Sequence, residues 1–335
     1  MTEPLVTPTL HDVEQAASRI RGLAVRTPVK RSFAMSEHTG AEVWLKLESV
    51  QPTGAFKVRG AANALVRRLE AGTLRGVTTA STGNHGIAVA YVANQLSVPA
   101  IVCLSDSVPD ERATAIQRVG GRVLRGSDDQ SAAIRQATAL AEENGYAMVP
   151  PFDDPDVISG AGTIGLELCE QTPQMDLVIV PVSGGGLAAG VALAVKTMNP
   201  SVRVVGVCAD RALAMSASLQ AGTPVVVPEV PTVAVSLMGD LGPSNRYTLR
   251  LVEEYVDDLV AVTEDDIREA VSAALTEDRL VVEGGSAAVL AYLRTQAESL
   301  RGQRISAVIT GDNLFDGALR SAAGAMDSWL RTEVA

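Results

Sequence analysis

Aromatic residues are scarce in this 335-residue chain, at 3%, and phenylalanine occurs at only four positions. Bulk comes instead from Ala, Val, Leu and Gly, small side chains suited to helices laid on parallel sheets. Basic residues are also in deficit, 28 against 39 acidic ones, for a net charge of −11. Nucleic acid and anionic membrane surfaces are therefore excluded as default partners, since neither attracts a strongly acidic protein. Three cysteines, Cys103, Cys169 and Cys208, stand far apart in apolar stretches, with no CxxC pair and no His nearby. That pattern offers no metal site and predicts buried thiols in a reducing compartment. The N-terminus lacks both a basic and an apolar leader, so a cytoplasmic protein is expected. The nineteen residues Leu177 to Val195 carry no charge, but Pro181 and the glycines Gly184 to Gly186 interrupt them, which predicts strand, loop and helix rather than a membrane span.

The length exceeds what one core usually holds, so two domains are expected. Thr9 with Asp12 predicts a capped first helix, and Glu42–Leu47 a strand. From Gly76 onward, apolar strands alternate with helical patterns through Val149, as in a parallel sheet with right-handed crossovers. The acidic loop Phe152-Asp153-Asp154-Pro155-Asp156 marks a boundary. It separates a small α/β domain at 75–153 from a large domain made of 1–74 and 154–335. Beyond it come a helix at Val157–Glu170, strands at Leu177–Val182, Val202–Val207 and Ile305–Ile309, and a helix capped by Thr263. The fold class is α/β, with two doubly wound, parallel-rich domains.

Four segments could carry chemistry. In Gln51-Pro52-Thr53-Gly54-Ala55-Phe56-Lys57, a turn leads into a helix and places Lys57 in its first turn, where the dipole disfavours an ammonium and lowers the lysine pKa. Such an amine can form an imine, although a lone lysine is more often a surface residue. Ser81-Thr82-Gly83-Asn84-His85-Gly86 joins a strand to a helix and could hold a carboxylate, or could be an ordinary turn with Asn84 as the cap and His85 as a structural hydrogen-bonder. Ser183-Gly184-Gly185-Gly186-Leu187 lets backbone N–H groups close on a phosphate. With Asp210 after the next strand it also reads as GxGxxA, which keeps an NAD-binding oxidoreductase as a rival. Thr310-Gly311-Asp312-Asn313 ends the last strand, facing the crevice where such sheets bind ligands. Glu283-Gly284-Gly285-Ser286 passes for a loop with a solvated carboxylate.

In combination and in this order, Gly54-Ala55-Phe56-Lys57, Ser81 to Gly86, the glycine loop and Thr310 to Asn313 resemble the serine/threonine dehydratase group of pyridoxal-phosphate enzymes, which have the tryptophan-synthase β-like fold (fold type II). The resemblance covers nearly the whole chain. It implies pyridoxal 5′-phosphate joined covalently to Lys57 as a Schiff base, with Phe56 beside it and Asn84 on the ring hydroxyl. Gly184, Gly185, Gly186 and Leu187 are implied to hold the phosphate, and Thr310 to face the pyridine nitrogen. Ser81, Thr82, Gly83 and His85 are implied to bind the substrate carboxylate. A neutral hydroxyl at the ring nitrogen makes the ring a weaker electron sink than a carboxylate would, favouring elimination over transamination. The implied reaction is dehydration and deamination of serine, threonine or a larger 3-hydroxy amino acid to a 2-oxo acid and ammonia, with Lys57 removing the α-proton. A small-molecule amino-acid substrate and a homodimer are the partners implied.

Departures from the group's pattern narrow the reading. Thr82 stands where racemases of the group carry a Ser base, which disfavours racemisation as the main activity. Val235 replaces an Asp often used as a metal ligand, so no metal is expected. Asp312 replaces a glycine. Gln51 to Lys57 together with Asn245-Arg246-Tyr247-Thr248 looks closer to the dehydratases of hydroxyectoine utilisation than to the threonine enzymes, which implies a substrate larger than threonine.

Overall fold

The computed structural model describes residues 6–81 and 83–314. The chain opens with α1 (Leu10–Arg19), whose N-terminus is closed by reciprocal hydrogen bonds between Thr9 and Asp12. Next come β1 (Val29–Arg31), α2 (Phe33–Thr39), β2 (Glu42–Leu47) and α3 (Lys57–Glu70). The alternating stretch follows as β3 (Val77–Ala80), α4 (Asn84–Gln95), β4 (Ala100–Ser105), α5 (Asp110–Arg118), β5 (Arg122–Ser127), α6 (Gln130–Asn144) and β6 (Ala147–Met148). Then α7 (Pro155–Gln171), β7 (Leu177–Pro181), α8 (Gly186–Met198), β8 (Arg203–Ala209), α9 (Ala214–Ala221), α10 (Thr248–Tyr255) and β9 (Asp258–Val262) lead on. The last described elements are α11 (Glu264–Thr276), α12 (Gly284–Thr295), α13 (Ala297–Leu300) and β10 (Arg304–Ile309).

Strands β3 to β6 form an all-parallel four-stranded sheet, in the order β5-β4-β3-β6. The other strands form a six-stranded sheet, β1-β2-β10-β7-β8-β9, in which only β1 runs antiparallel. β10, the last described strand, sits between β2 and β7 and so joins the Lys57 segment to the glycine-loop segment. The uncharged stretch from Leu177 resolves into β7, a loop and α8, and no described helix is long and apolar enough to cross a membrane.

Helices α3, α7 and α8 pack closely because glycines line their contacts. A Cβ on Gly160 would lie 2.5 Å from the Arg59 carbonyl, and one on Gly190 only 2.3 Å from the Ile158 carbonyl. Backbone cannot yield there as a side chain can. Exposed Gly→Ala changes in helices stabilise by about 0.5–1 kcal/mol, but Gly190→Ala is expected to destabilise by about 1–3 kcal/mol through overpacking. Urea unfolding checks the sign, and a stabilised variant would contradict the packing described.

Candidate active site

The candidate residues sit where parallel strands end. Lys57 follows β2, Asn84 follows β3, the glycine loop follows β7 and Thr310 follows β10. This is the edge at which α/β sheets bind ligands. A surface cleft lined by Glu42, Trp44, Met175 and Arg304 lies at the strand starts and shares no residue with these segments.

Lys57 is the first residue of α3, partly buried. Its Nζ donates to the Pro151 carbonyl at 2.6 Å and stands 5.1 Å from the Phe56 ring centroid. Its pKa falls to about 8, chiefly through burial, against the opposing pull of Glu283. The direction is the one expected for an imine-forming lysine, and burial rather than the helix end is its main cause. The Phe56 N–H donates to the Thr310 carbonyl at 2.9 Å, which fixes the two segments side by side.

The loop before α8 is closed by packing from outside. Added Cβ atoms on Gly184 and Gly186 would strike Phe152, and one on Gly185, which has φ +88°, would strike Met215. No side chain caps α8. Its first-turn N–H groups therefore remain for an anion, without a lysine or arginine. Phe152 follows Pro151, so a single stretch of chain touches both Lys57 and the glycine loop. The Asp153 carboxylate accepts from the N–H groups of Arg246, Tyr247 and Thr248 and thereby starts α10. Asn245 contributes to the same turn, with Nδ2 on Thr248 Oγ1 and Oδ1 accepting from the Leu249 N–H. The stretch read as a boundary loop is thus also a junction between parts of the site.

Thr310 is 5% exposed, and its hydroxyl lies 2.8 Å from that of Ser286. Ser286 also accepts from the Gly311 N–H and can give its one proton to the Gly311 carbonyl, both at 2.7 Å. Thr310 is free to donate elsewhere only when Ser286 gives that proton to Thr310 instead.

Asn84 is not the cap of α4. Gly83 occupies that position, and the Asn84 side chain reaches across to the other sheet's segments. Its Nδ2 donates to both Glu283 oxygens at 2.9 and 3.0 Å, and its Oδ1 accepts from Asn313 Nδ2 at 2.7 Å. Glu283, expected as a solvated carboxylate, is instead 8% exposed. Burial raises its pKa, while the hydrogen bonds from Asn84 and Ser236 oppose the rise. Asp312 is pushed up to about 6, mainly by burial. His85 is 2% exposed, with Nε2 on the Val149 carbonyl at 3.0 Å, and burial first, then the Lys57 charge, lowers its pKa to about 3. The shift favours the neutral imidazole at the start of α4, and its Nδ1 has no hydrogen-bond partner among the described residues. Ser81 and Gly83 border that start, and Thr82 lies outside the described residues.

The geometry gathers a buried amine, an uncapped helix start, a hydroxyl and a fixed amide at one edge. The sequence profile described as pyridoxal-phosphate dependent enzyme matches residues 20–311. The chain belongs to this family of pyridoxal-phosphate dependent enzymes. A Sinorhizobium fredii protein provisionally named a threonine dehydratase is 41% identical, over 93% of this chain and 94% of its own length. L-Threonine ammonia-lyase of Thermotoga maritima is 38% identical over 91% of this chain and 76% of its own. In structure, a T.th. threonine deaminase matches with a TM-score of 0.85 at 35% identity, covering 92% of this chain and 99% of that one. Maize serine racemase matches with a TM-score of 0.89 at 30% identity, covering 98% and 100%. The fold is accordingly the type II arrangement and the cofactor is pyridoxal phosphate. The enzyme is a lyase of the dehydratase kind, and the racemase reading is the less supported one. The glycine loop of this pyridoxal-phosphate dependent enzyme is thus not a nicotinamide site, and Asp210 has no ribose to meet.

The residues present fit the cofactor. An aldehyde needs a neutral amine, which Lys57 offers; a phosphate needs N–H donors, which the uncapped α8 offers; a ring with polar atoms needs hydrogen-bonding groups, and a hydroxyl at Thr310 and an amide at Asn84 are of that kind.

Proposed function

We propose that this enzyme removes water and ammonia from a 3-hydroxy amino acid, with serine, threonine or a larger analogue as substrate, leaving a 2-oxo acid. The observation that carries the proposal is Lys57, a buried amine held at the Pro151 carbonyl beside Thr310 and the glycine loop. When bound, pyridoxal phosphate supplies an aldehyde for covalent attachment and a ring that draws electrons from the substrate's α-carbon. Lys57 Nζ anchors it and takes the α-proton. The N–H groups of Gly184, Gly185, Gly186 and Leu187 hold the phosphate, Phe56 packs beside the ring, Thr310 faces the ring nitrogen and Asn84 the ring hydroxyl. Ser81, Thr82, Gly83 and the start of α4 at His85 bind the substrate carboxylate. The names of the relatives support threonine, while the Asn245–Thr248 segment and its resemblance support a longer side chain. Residues 75–153, which carry the four-stranded sheet, form the small domain in this reading, and 1–74 with 154–335 the large one. A cytoplasmic homodimer is the proposed state; the free, largely buried thiols of Cys103 and Cys208 support the compartment, and sizing in solution tests the assembly.

The deciding experiment incubates the cofactor-loaded protein with serine, threonine and larger 3-hydroxy amino acids and follows 2-oxo acid and ammonia together. Conversion of none of them would overturn the proposal. The lowered lysine pKa gives a second expected result. Raising the pH through about 8 deprotonates Lys57, so the rate at which cofactor-free protein captures pyridoxal phosphate rises through that range. A midpoint near the ordinary 10.5 for lysine would mean that its burial is not felt.

A further inference from the structure

Glu283 stands at the N-cap position of α12 yet makes no cap hydrogen bond. Its carboxylate turns instead to Asn84 Nδ2 and accepts from Ser236 Oγ at 2.9 Å. Two glycines permit this. A Cβ on Gly284 would lie 2.2 Å from the Val233 carbonyl, which is backbone and cannot yield, and one on Gly285 would lie 2.1 Å from Ser236 Oγ and displace that hydroxyl. Ser236 and Glu283 are fixed together as a result.

The partners on either side of Asn84 decide which way its amide faces. A carboxylate can only accept, so the NH₂ must lie toward Glu283. On the other side, Asn313 Nδ2 donates to Asn84 Oδ1 at 2.7 Å and to the Thr53 carbonyl at 2.9 Å. Thr53 offers only a lone pair there, so the orientation of Asn313 is fixed as well. The chain of donors therefore runs in one direction, from Asn313 through Asn84 to Glu283. A flipped Asn84 would set an oxygen against the carboxylate and an NH₂ against an NH₂. The two Glu283 oxygens stand too close together to take one N–H each, so a single Asn84 N–H is shared between them and the second is left to be offered.

We propose that Glu283 is a positioning residue that locks the Asn84 amide so that it presents an N–H, rather than an oxygen, to the ring hydroxyl oxygen of the cofactor. The proposal rests on the reading that Asn84 faces that hydroxyl. Such an oxygen, ionised or poised to ionise, is stabilised by a donor and destabilised by an acceptor. Glu283 thus sets the polarity of a contact that it does not itself make. Lys57 on α3, Arg112 on α5 and Asp312 after β10 are the charged groups that bear on it.

The test uses the cofactor-loaded protein with Glu283→Gln, Asn84→Ala and the double variant, measuring cofactor dissociation, the visible band and thermal stability. Glutamine keeps the shape but can donate as well as accept, so Asn84 gains a tolerated flipped state. Glu283→Gln is expected to weaken cofactor binding about tenfold, as loss of one charged hydrogen bond does, and to move the visible band. Asn84→Ala should give a comparable loss and the double variant little more. Glu283→Asp, which keeps an acceptor-only group, should recover part of the binding. If Asn84→Ala leaves binding and band unchanged, the placement of Asn84 fails and this proposal with it. If Asn84→Ala weakens binding while Glu283→Gln only lowers stability, or adds fully in the double variant, the proposal alone fails. Should Glu283→Gln not fold, Asn313→Ala removes the lock from the other side and must weaken binding and move the band; an unchanged band and affinity there overturns it.

Discussion

Replacing Lys57 by alanine is expected to lower turnover by at least ~10²–10⁴-fold, the usual worth of a general base, with loss of the covalent anchor adding to it. Few structural contacts are at stake. Lys57 Nζ bonds one carbonyl, that of Pro151, and lies over one ring, that of Phe56. Alanine is also the better residue inside a helix. The variant should therefore melt close to the parent and still dock the cofactor's phosphate at α8, but lose the cofactor on dialysis. Stopped assays of 2-oxo acid formation, with absorbance before and after dialysis, separate the two losses. Near-normal turnover with cofactor retained would make Lys57 an ordinary half-buried lysine and leave the site without its nucleophile.

Much of the fold was legible because local chemistry and tertiary structure agree. The Thr9–Asp12 and Thr263–Asp266 boxes start their helices as read, and β2 has the expected limits. The alternation from Gly76 becomes the four-stranded sheet. Some of what escaped the reading lacks a local signal, although α2, with Ser32 as its cap and Gly40 at its end, does not. β1 is three residues long and exists through its pairing with β2. α10 begins where Asp153, 94 residues from Tyr247, supplies the missing cap. The insertion of β10 between β2 and β7 is a long-range pairing that no local pattern encodes.

The site divides in the same way. Lys57, the glycine loop and Thr310 could be singled out because each is a distinctive residue type shortly after a strand. Glu283 and Ser286 could not be assigned, since a carboxylate after an apolar run reads as solvated until its partner, 199 residues away, is known. Asn313 lay within a quoted motif, but its contact with Asn84 spans 229 residues. Pro151 contributes a backbone oxygen, which carries no side-chain signature at all.

The largest expected loss of stability lies two residues beyond Lys57. Arg59 is 0% exposed and spends its guanidinium on Glu48 at 2.7 and 2.8 Å and on Glu167 at 2.7 and 2.9 Å, with Thr163 and the Val25 carbonyl completing the set. Lys46 closes the group through Glu167 at 2.5 Å, so two cations face two anions in the interior. Burial works against the Glu48 charge, yet Arg59 overcomes it and holds this carboxyl below its usual range. Arg59→Met would leave Glu48 with only Thr27 and Gln51 as donors. Breaking a buried pair in this way costs about 3–5 kcal/mol, because one charge stays behind uncompensated. The sign with pH follows. In the parent, the depressed Glu48 pKa contributes stability that is present above the ordinary carboxylate range and lost as pH falls through the folded value. In the variant, Glu48 would instead be raised by burial and would take up a proton more readily folded than unfolded. The deficit should therefore be greatest near neutral pH and shrink on mild acidification. Urea unfolding of both proteins at pH 7 and pH 5 measures it, and a loss under about 1 kcal/mol at pH 7, the level of an exposed pair, would show that the network does not secure the helix on which Lys57 sits.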